Sequence, residues 1–158
     1  MDHRPATTHD LPLVCSFPQN EEELFYLFPT ARYPLTPAQL AQAIAHRAAP
    51  TVVEAAGQVV AFADLYRLKH GNYSNIGNVM VAPKARGRGV GRYLIEQMIA
   101  IAQTTYGARR IRVSCFNHNT AGMLLYARLG FVPYAVEERI DWQGQRTALI
   151  HLRMTLKS

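Results

Sequence analysis

Val81-Ala82-Pro83-Lys84-Ala85-Arg86-Gly87-Arg88-Gly89-Val90-Gly91-Arg92 is the stretch on which the reading of this chain turns. An apolar run from Asn75 to Val81 leads into it and stops at Pro83. An amphipathic run leaves it, Val90 to Thr104, with Leu94, Ile95, Met98, Ile101 and Ala102 recurring at three- and four-residue steps. The order strand, glycine-rich turn, helix lets backbone N–H groups converge on an anion, while the helix N-terminus adds positive potential. Arg86, Arg88 and Arg92 add charge, and a pyrophosphate is the expected ligand. Two familiar phosphate loops fail on spacing. Gly91 is followed by Arg92-Tyr93 where a triphosphate loop needs Lys-Ser/Thr, and Arg92 stands where the dinucleotide fingerprint needs its third glycine. The bland alternative is a tight basic turn with no ligand.

Outward from this loop the elements alternate. Gly107 ends the helix, and Ile111 to Phe116 reads as a strand. Asn119 is placed to cap a helix that runs to Leu129 and is closed by Gly130. Phe131 to Ile140 and Arg146 to Leu156 read as a hairpin about Trp142-Gln143-Gly144-Gln145. Upstream, Thr51 to Ala55 and Val59 to Leu68 flank the turn Ala56-Gly57-Gln58, and His70-Gly71-Asn72 turns the chain into the strand Asn75–Val81. Three helix starts come earlier: Asp10 as a cap with Pro12 behind it, Asn20 ahead of three glutamates, and Thr36-Pro37 opening Ala38 to Arg47. The first seven residues suit a short edge strand. Condensed, the order is β-α-α-β-β-β-α-β-α-β-β. That is an α/β (α+β) chain, a mixed central sheet of about seven strands flanked by helices, with residues 1–158 as one domain.

Composition bounds what this domain does. Of 158 residues, 49% are hydrophobic and 18% charged, a globular balance. A chain of this length buries roughly 70% of its unfolded surface, enough for a core without staples. Seventeen Lys and Arg against eleven Asp and Glu give a net charge of +6, which suits a phosphorylated cofactor, nucleic acid or an acidic surface. No RNP-like aromatic strand or recognition-helix pattern accompanies the basic residues, so nucleic acid is the lesser reading. Cys15 and Cys115 make no disulfide framework, and a reduced, cytoplasmic setting is expected. His3, His9, His46, His70, His118 and His151 lack zinc-ligand spacing, so no metal is expected. The start, Met1-Asp2-His3-Arg4-Pro5, lacks a signal-type apolar core, and no apolar stretch approaches about 20 residues, so no membrane partner is expected.

A second block lies downstream of the loop: Asn119-Thr120-Ala121-Gly122-Met123-Leu124-Leu125-Tyr126-Ala127-Arg128-Leu129-Gly130-Phe131. Together with Val81-x-Pro83 and Arg86-x-x-Gly89-x-Gly91, it resembles the GNAT family, the Gcn5-related N-acetyltransferases. Their second block reads Asn-x-x-Ala-x-x-x-Tyr-x-x-x-Gly-Phe, and Gly122 stands where alanine is usual. The separation of the blocks and the element order match the whole GNAT (acyl-CoA N-acyltransferase) fold. The resemblance implies a small, single-domain bacterial type, a monomer or homodimer. It implies transfer of acetyl from acetyl-CoA to a primary amine of a small molecule or peptide, a lysine amine among the candidates, by direct attack in a ternary complex. A CoA-binding regulator without activity is the alternative, against which Tyr126 speaks.

The same resemblance assigns roles. Val79, Met80 and Val81 line the pantetheine with their backbone, and an N–H near Met80 or Val81 polarises the thioester carbonyl. Gly87, Arg88, Gly89, Val90, Gly91 and Arg92, with Arg86, bind the pyrophosphate. The strand before the loop parts from its neighbour near Ser114. Tyr126 falls on the general-acid tyrosine, whose phenol, of pKa about 10, donates to a departing sulfur of about 8.5. Asn119 contacts the cofactor or caps its helix. The acceptor must first lose a proton, and for a lysine amine of pKa about 10.4 this costs roughly 4.6 kcal/mol at pH 7. Asn75, Asn78 and Ser114 hold the plausible positions for a base, and Glu54 and Asp64 lie on the neighbouring hairpin. None is singled out over a water relay, and Ser114 is read as orienting substrate or water.

For the acceptor, Phe17 to Pro29 is both aromatic and acidic. Phe25, Tyr26, Phe28 and Tyr33 are the substrate-binding candidates, and the glutamates beside them favour a cationic amine. The bland alternative is a packed lid with a solvated acidic turn.

Overall fold

The computed structural model describes residues 1–157. Strands β1 (Asp2–Pro5), β2 (Ala48–Ala55), β3 (Gln58–Lys69), β4 (Tyr73–Val81), β5 (Arg110–Phe116), β6 (Val132–Ile140) and β7 (Arg146–Thr155) form one sheet in the order β1-β2-β3-β4-β5-β7-β6. Every neighbouring pair is antiparallel except β4 with β5. A parallel pair needs a crossover, and α4 (Val90–Tyr106) supplies it. Helix α5 (Thr120–Leu129) connects β5 to β6. Between β1 and β2 lie α1 (Leu11–Val14), α2 (Glu21–Leu27) and α3 (Pro37–Ile44), three helices where the condensed order has two, because α1 is a single turn.

The expected caps hold at three helices. Asn20 Oδ1 accepts from the Glu23 N–H at 2.9 Å, Thr36 Oγ1 from Gln39 at 3.3 Å, and Asn119 Oδ1 from Gly122 at 3.1 Å. Asp10 is the exception. Its side chain makes no cap bond to α1 but is buried against Arg4, which donates to both its oxygens, and it accepts the Thr7 N–H. Those bonds hold its carboxyl down to about 2, the Arg4 bond first among them. Helix α3 stops at Ile44 rather than running to Arg47, and β2 starts at Ala48, ahead of Pro50. Ala49 takes φ of 49°, and Ala49 with Pro50 forms a bulge opposite Asp64, a place in a sheet where a missing N–H is tolerated.

The core runs through the middle of the sheet. Leu94, Ile95 and Met98 of α4 are wholly buried, as are Phe62 and Leu65 of β3, Met80 of β4 and Ile111 of β5. Each such side chain contributes about 1.5–3 kcal/mol on leaving water. The free thiols Cys15 and Cys115 are buried too.

Candidate active site

Strands β4 and β5 pair only at Tyr73–Arg110, Ser74–Ile111 and Asn75–Arg112. Beyond Asn75 they part, and among the described residues Ile76 to Val81 have no partner on β5, while β5 stays paired to β7 through Phe116. The fork expected near Ser114 is therefore present, two residues past the last pair. Its cause lies on the other edge of β4. Phe62 pairs Met80 and Asp64 pairs Gly77, so Ala63 faces both Asn78 and Val79. This is a bulge, and a bulge bends and twists its strand. Asn78 takes φ of 50°, which asparagine tolerates better than most residues.

A buried polar cluster pins this bulge. Asn78 Nδ2 donates to Asp64 Oδ2 at 3.0 Å, and Arg47 Nη1 donates to Asp64 Oδ1 at 2.9 Å. The Arg47 guanidinium lies 4.3 Å over the Tyr66 ring. Asp64 is 0% exposed, and burial pushes its carboxyl up to about 6 in spite of Arg47 and Asn78. Gly77 leaves room for the stack: a Cβ there would lie 2.5 Å from Arg47 Nη1 and 2.7 Å from the Tyr66 ring. At the mouth of the fork, Asn75 Oδ1 is buried without a hydrogen-bond partner among the described residues. An orphaned acceptor of this kind is rare in a folded protein and suits an N–H of a bound molecule. Of the sequence candidates for a base, Glu54 pairs with Arg4 near the β1 edge, and Asp64 is closed in by its two donors.

The glycine loop follows β4. Gly87 and Gly89 take φ of 74° and 81°, and a Cβ built at either would meet nothing within 4 Å, so glycine serves the backbone angle beneath open space. Val90, Gly91 and Arg92 form the first turn of α4, whose N–H groups have no intrahelical acceptor. The three arginines divide. Arg88 is exposed, and among the described residues it makes no ion pair. Arg92 pairs with Glu96 one turn on. The Arg86 side chain reaches toward α2. Its guanidinium donates to Glu23 at 2.9 and 3.2 Å, to the Phe17 carbonyl at 3.2 Å and to the Val81 carbonyl at 3.1 Å. Arg86 thus ties the loop to α2. An unpaired strand edge, an orphan acceptor, an open glycine loop and a free Arg88 together fit an extended pyrophosphate-bearing molecule.

Neighbouring residues of β5 face opposite ways. Cys115 faces α5: its Sγ would lie 2.9 Å from a Cβ on Gly122, which explains glycine at that position. Ser114 and Phe116 face α2, whose Phe25 ring stacks on Phe116 at 4.5 Å between centroids. Tyr126 of α5 is 7% exposed and packs edge-on against Phe131. Burial pushes its phenol above the ordinary range, so it stays protonated. Met80 is wholly buried, which leaves it a backbone role, and Val79 and Val81 are half-buried.

On the α2 side, a cavity of about 250 Å³ is lined by Glu21, Phe25, Tyr33, Asp141 and Trp142 among others. It adjoins an open cleft formed by Asn20, Glu21, Glu22, Trp142 and Gln143. Phe25 touches the Trp142 ring at 5.7 Å, and Tyr26 donates to Glu22 at 3.0 Å. Tyr33 donates to the Gln19 carbonyl at 3.1 Å. Phe28 corrects the expectation of a substrate contact: it is buried in the hydrophobic core, because α2 ends there and its ring turns inward. Sequence reading missed Trp142, which it took only as part of a hairpin turn, and Asp141, which it gave no role. The signal was an aromatic residue at a loop tip. It also missed the partners of Ser114, whose Oγ lies 2.8 Å from His151 Nδ1.

Fold and site together define an acyl-transfer scaffold. Residues 14–131 match the Acetyltransferase (GNAT) family, and the chain belongs to that family. It is an N-acetyltransferase by class, and acetyl-CoA is the donor that GNAT enzymes use. Among solved structures, the chain is similar to a ribosomal-protein-alanine N-acetyltransferase from Brucella melitensis, at 21% identity and a TM-score of 0.80, over 99% of this chain and 100% of that one. It is similar to yncA from Salmonella typhimurium, solved with its cofactor acetyl-CoA, at 20% identity and a TM-score of 0.74, over 100% and 95% of the two chains. It is also similar to a mutant of spermidine N-acetyltransferase SpeG from Vibrio cholerae, at 17% identity and a TM-score of 0.78, over 98% and 95%. Among the described residues no helix is long and apolar enough to cross a membrane, and no group of three His, Cys, Asp or Glu is placed to hold a metal.

Proposed function

We propose that the chain transfers the acetyl group of acetyl-CoA to a primary amine of a cationic small molecule or peptide, lysine amines included, by direct attack within a ternary complex. The observation that carries the reading is the acidic, aromatic cavity of Glu21, Asp141, Phe25 and Trp142. It lies beside Phe116, two residues or about 6.6 Å along β5 from Ser114 at the fork. Carboxylates draw an ammonium in, and aromatic faces hold both the cation and its alkyl stem. The acceptors named for the structural relatives, a ribosomal-protein alanine and spermidine, differ, so the shared fold leaves the acceptor to local chemistry.

In this reading acetyl-CoA, when bound, supplies an activated acetyl group. Val79, Met80 and Val81 offer backbone groups along the unpaired edge of β4, and the Met80 or Val81 N–H polarises the carbonyl under attack. The N–H groups from Gly87 to Arg92, with Arg88, hold the pyrophosphate. Asn119 sets the start of α5 and so the position of Tyr126, which donates its proton to the departing sulfur. Ser114 orients the acceptor nitrogen or a water. Phe25, Tyr26 and Tyr33 wall the acceptor. The test is an amine panel with acetyl-CoA that follows free thiol, covering polyamines, aminoglycosides, amino acids and lysine peptides. Cationic di- and polyamines or lysine peptides are expected to react best. Replacing Glu21 and Asp141 by Gln and Asn should raise the Michaelis constant for them about tenfold, each of the two lost charge contacts being worth about 0.7 kcal/mol. No thermal shift at saturating acetyl-CoA would sink the reading.

A further inference from the structure

Ser114, His151 and Glu137 form a hydrogen-bonded line across three strands beside the fork. Ser114 Oγ lies 2.8 Å from His151 Nδ1, and His151 Nε2 lies 2.6 Å from Glu137 Oε1. Register builds the line: Ser114 faces His151 across β5 and β7, and His151 faces Ala135, so Glu137 is its diagonal neighbour on β6. Bonds from His151 and Arg139 hold the Glu137 carboxyl below its ordinary value. An ionised carboxylate only accepts, so in the neutral ring Nε2 carries the proton and Nδ1 keeps its lone pair. The Ser114 hydroxyl donates into that lone pair, and its own oxygen remains able to accept. The other charged and titratable groups beside this line are Arg112, which faces Arg153 across β5 and β7, Arg139 on Glu137, and Tyr134, whose ring lies 6.1 Å from that of His151 and under Arg153.

We propose that this line is the proton acceptor of the reaction: His151 takes the proton of the acceptor ammonium through the Ser114 hydroxyl, and Glu137 holds the imidazolium that results. The proposal rests on the reading that the acceptor is a protonated primary amine. One ammonium proton passes to Ser114 Oγ as the Ser114 hydroxyl proton passes to His151 Nδ1. The nitrogen keeps the electron pair with which it forms the N–C bond while the C–S bond breaks. The second proton it loses on becoming an amide passes through water to the Tyr126 oxygen and replaces the one Tyr126 delivered to sulfur. The proton held on His151 leaves to water after the product, so one proton is released per turnover. Histidine suits the task because its ordinary pKa lies near neutrality.

The experiment compares two nucleophiles with acetyl-CoA at pH 7: 1,4-diaminobutane, which is cationic, and hydroxylamine, which is already neutral. His151→Asn and Ser114→Ala should lower kcat on the diamine about 10²–10⁴-fold, with a loss on hydroxylamine at least tenfold smaller. Equal losses on both nucleophiles overturn the proposal. Glu137→Gln should lower kcat on the diamine about tenfold while hydroxylamine changes little, and an unchanged kcat on the diamine overturns the relay. A wild-type protein that acetylates neither nucleophile overturns the functional reading and the relay with it, whereas equal losses overturn the relay alone. Mass spectrometry after exposure to acetyl-CoA alone should find Ser114 unmodified, and an acetyl ester there would make it an acyl carrier and refute the proposal.

Discussion

Asp64 accepts the Asn78 side-chain amide at 3.0 Å across the β3–β4 pair, at the step where β4 gains its extra residue. The bond joins a wholly buried carboxylate to the residue with φ of 50° that bends β4 away from β5. The fork is thus held open from behind, by a contact on the edge facing away from it.

Asn78→Ala should lower stability by on the order of 2–3 kcal/mol. About 1 kcal/mol comes from a side chain poorly suited to the left-handed region, and the rest from an Asp64 oxygen left buried without its donor. Asn78→Gly relieves the backbone and should recover about half. Urea unfolding reads the stability, and calorimetric titration reads acetyl-CoA affinity, which should fall in the Ala variant and recover in part with Gly. Equal affinity in all three forms would mean that the bulge does not shape the donor site.

Asp64 and Asp10 should pull the pH dependence of stability in opposite directions. The Asp64 carboxyl is raised by burial from 3.8 to about 6, so the folded chain binds the extra proton between those values. Stability from this group therefore falls as pH rises from about 4 to 6, by at most about 3 kcal/mol. Asp10 is lowered to about 2 by its bonds from Arg4, so its contribution is present above about 4 and lost as pH falls through 2, worth on the order of 1–2 kcal/mol. Denaturant midpoints from pH 2 to 7 should show Asp64→Asn flattening the slope above pH 4 and Asp10→Asn flattening it below. Parallel curves for wild type and both variants would refute the assignment.

Arg86 and Arg88 are close in sequence and should behave differently. Arg86 is joined to Glu23 and two carbonyls, whereas Arg88 makes no ion pair among the described residues. Arg88→Ala should weaken acetyl-CoA binding and make it less sensitive to salt, because an exposed cation acts through a screened field. Arg86→Ala should leave the salt slope unchanged and lower the melting temperature, the exposed pair itself contributing at most about 1 kcal/mol. Dissociation constants measured between low and high salt decide the matter: matching slopes for the two variants would mean that Arg86 also faces the phosphates.

What the sequence revealed follows from the range of the interactions. Asn20, Thr36, Asn119, Gly107 and Gly130 mark helix ends by bonds to residues three or four away, so those boundaries were readable. The bulges at Asn78 and Ala49 were not, because one extra residue in a strand leaves no mark in an apolar pattern. The bond between Arg86 and Glu23 was not readable, because the two lie 63 positions apart. The pairing of Ser114 with His151 depends on the β5–β7 register, which no turn fixes. Glu137 beside His151 was within reach, since the turn at Asp141–Gln145 sets Ile140 opposite Arg146 and the pairs behind it as far as Ala135 with His151.

Tyr126 carries the sharpest test of the transfer step. Its ring is buried, packs edge-on against Phe131 at 5.8 Å, and its phenol is held protonated by burial. If it donates to the departing sulfur, Tyr126→Phe should lower kcat about 10²–10⁴-fold while the Michaelis constant for acetyl-CoA changes little. The phenyl ring fills the same space, and the hydroxyl makes no hydrogen bond among the described residues, so the melting temperature should hardly move. A residue that only packs gives near-normal turnover, with the melting temperature again hardly moved. A loss below about tenfold would mean that the hydroxyl only positions the sulfur, since a thiolate of pKa about 8.5 leaves tolerably on its own. Full activity in the Phe variant, on an acceptor the wild type uses, would remove Tyr126 from the chemistry.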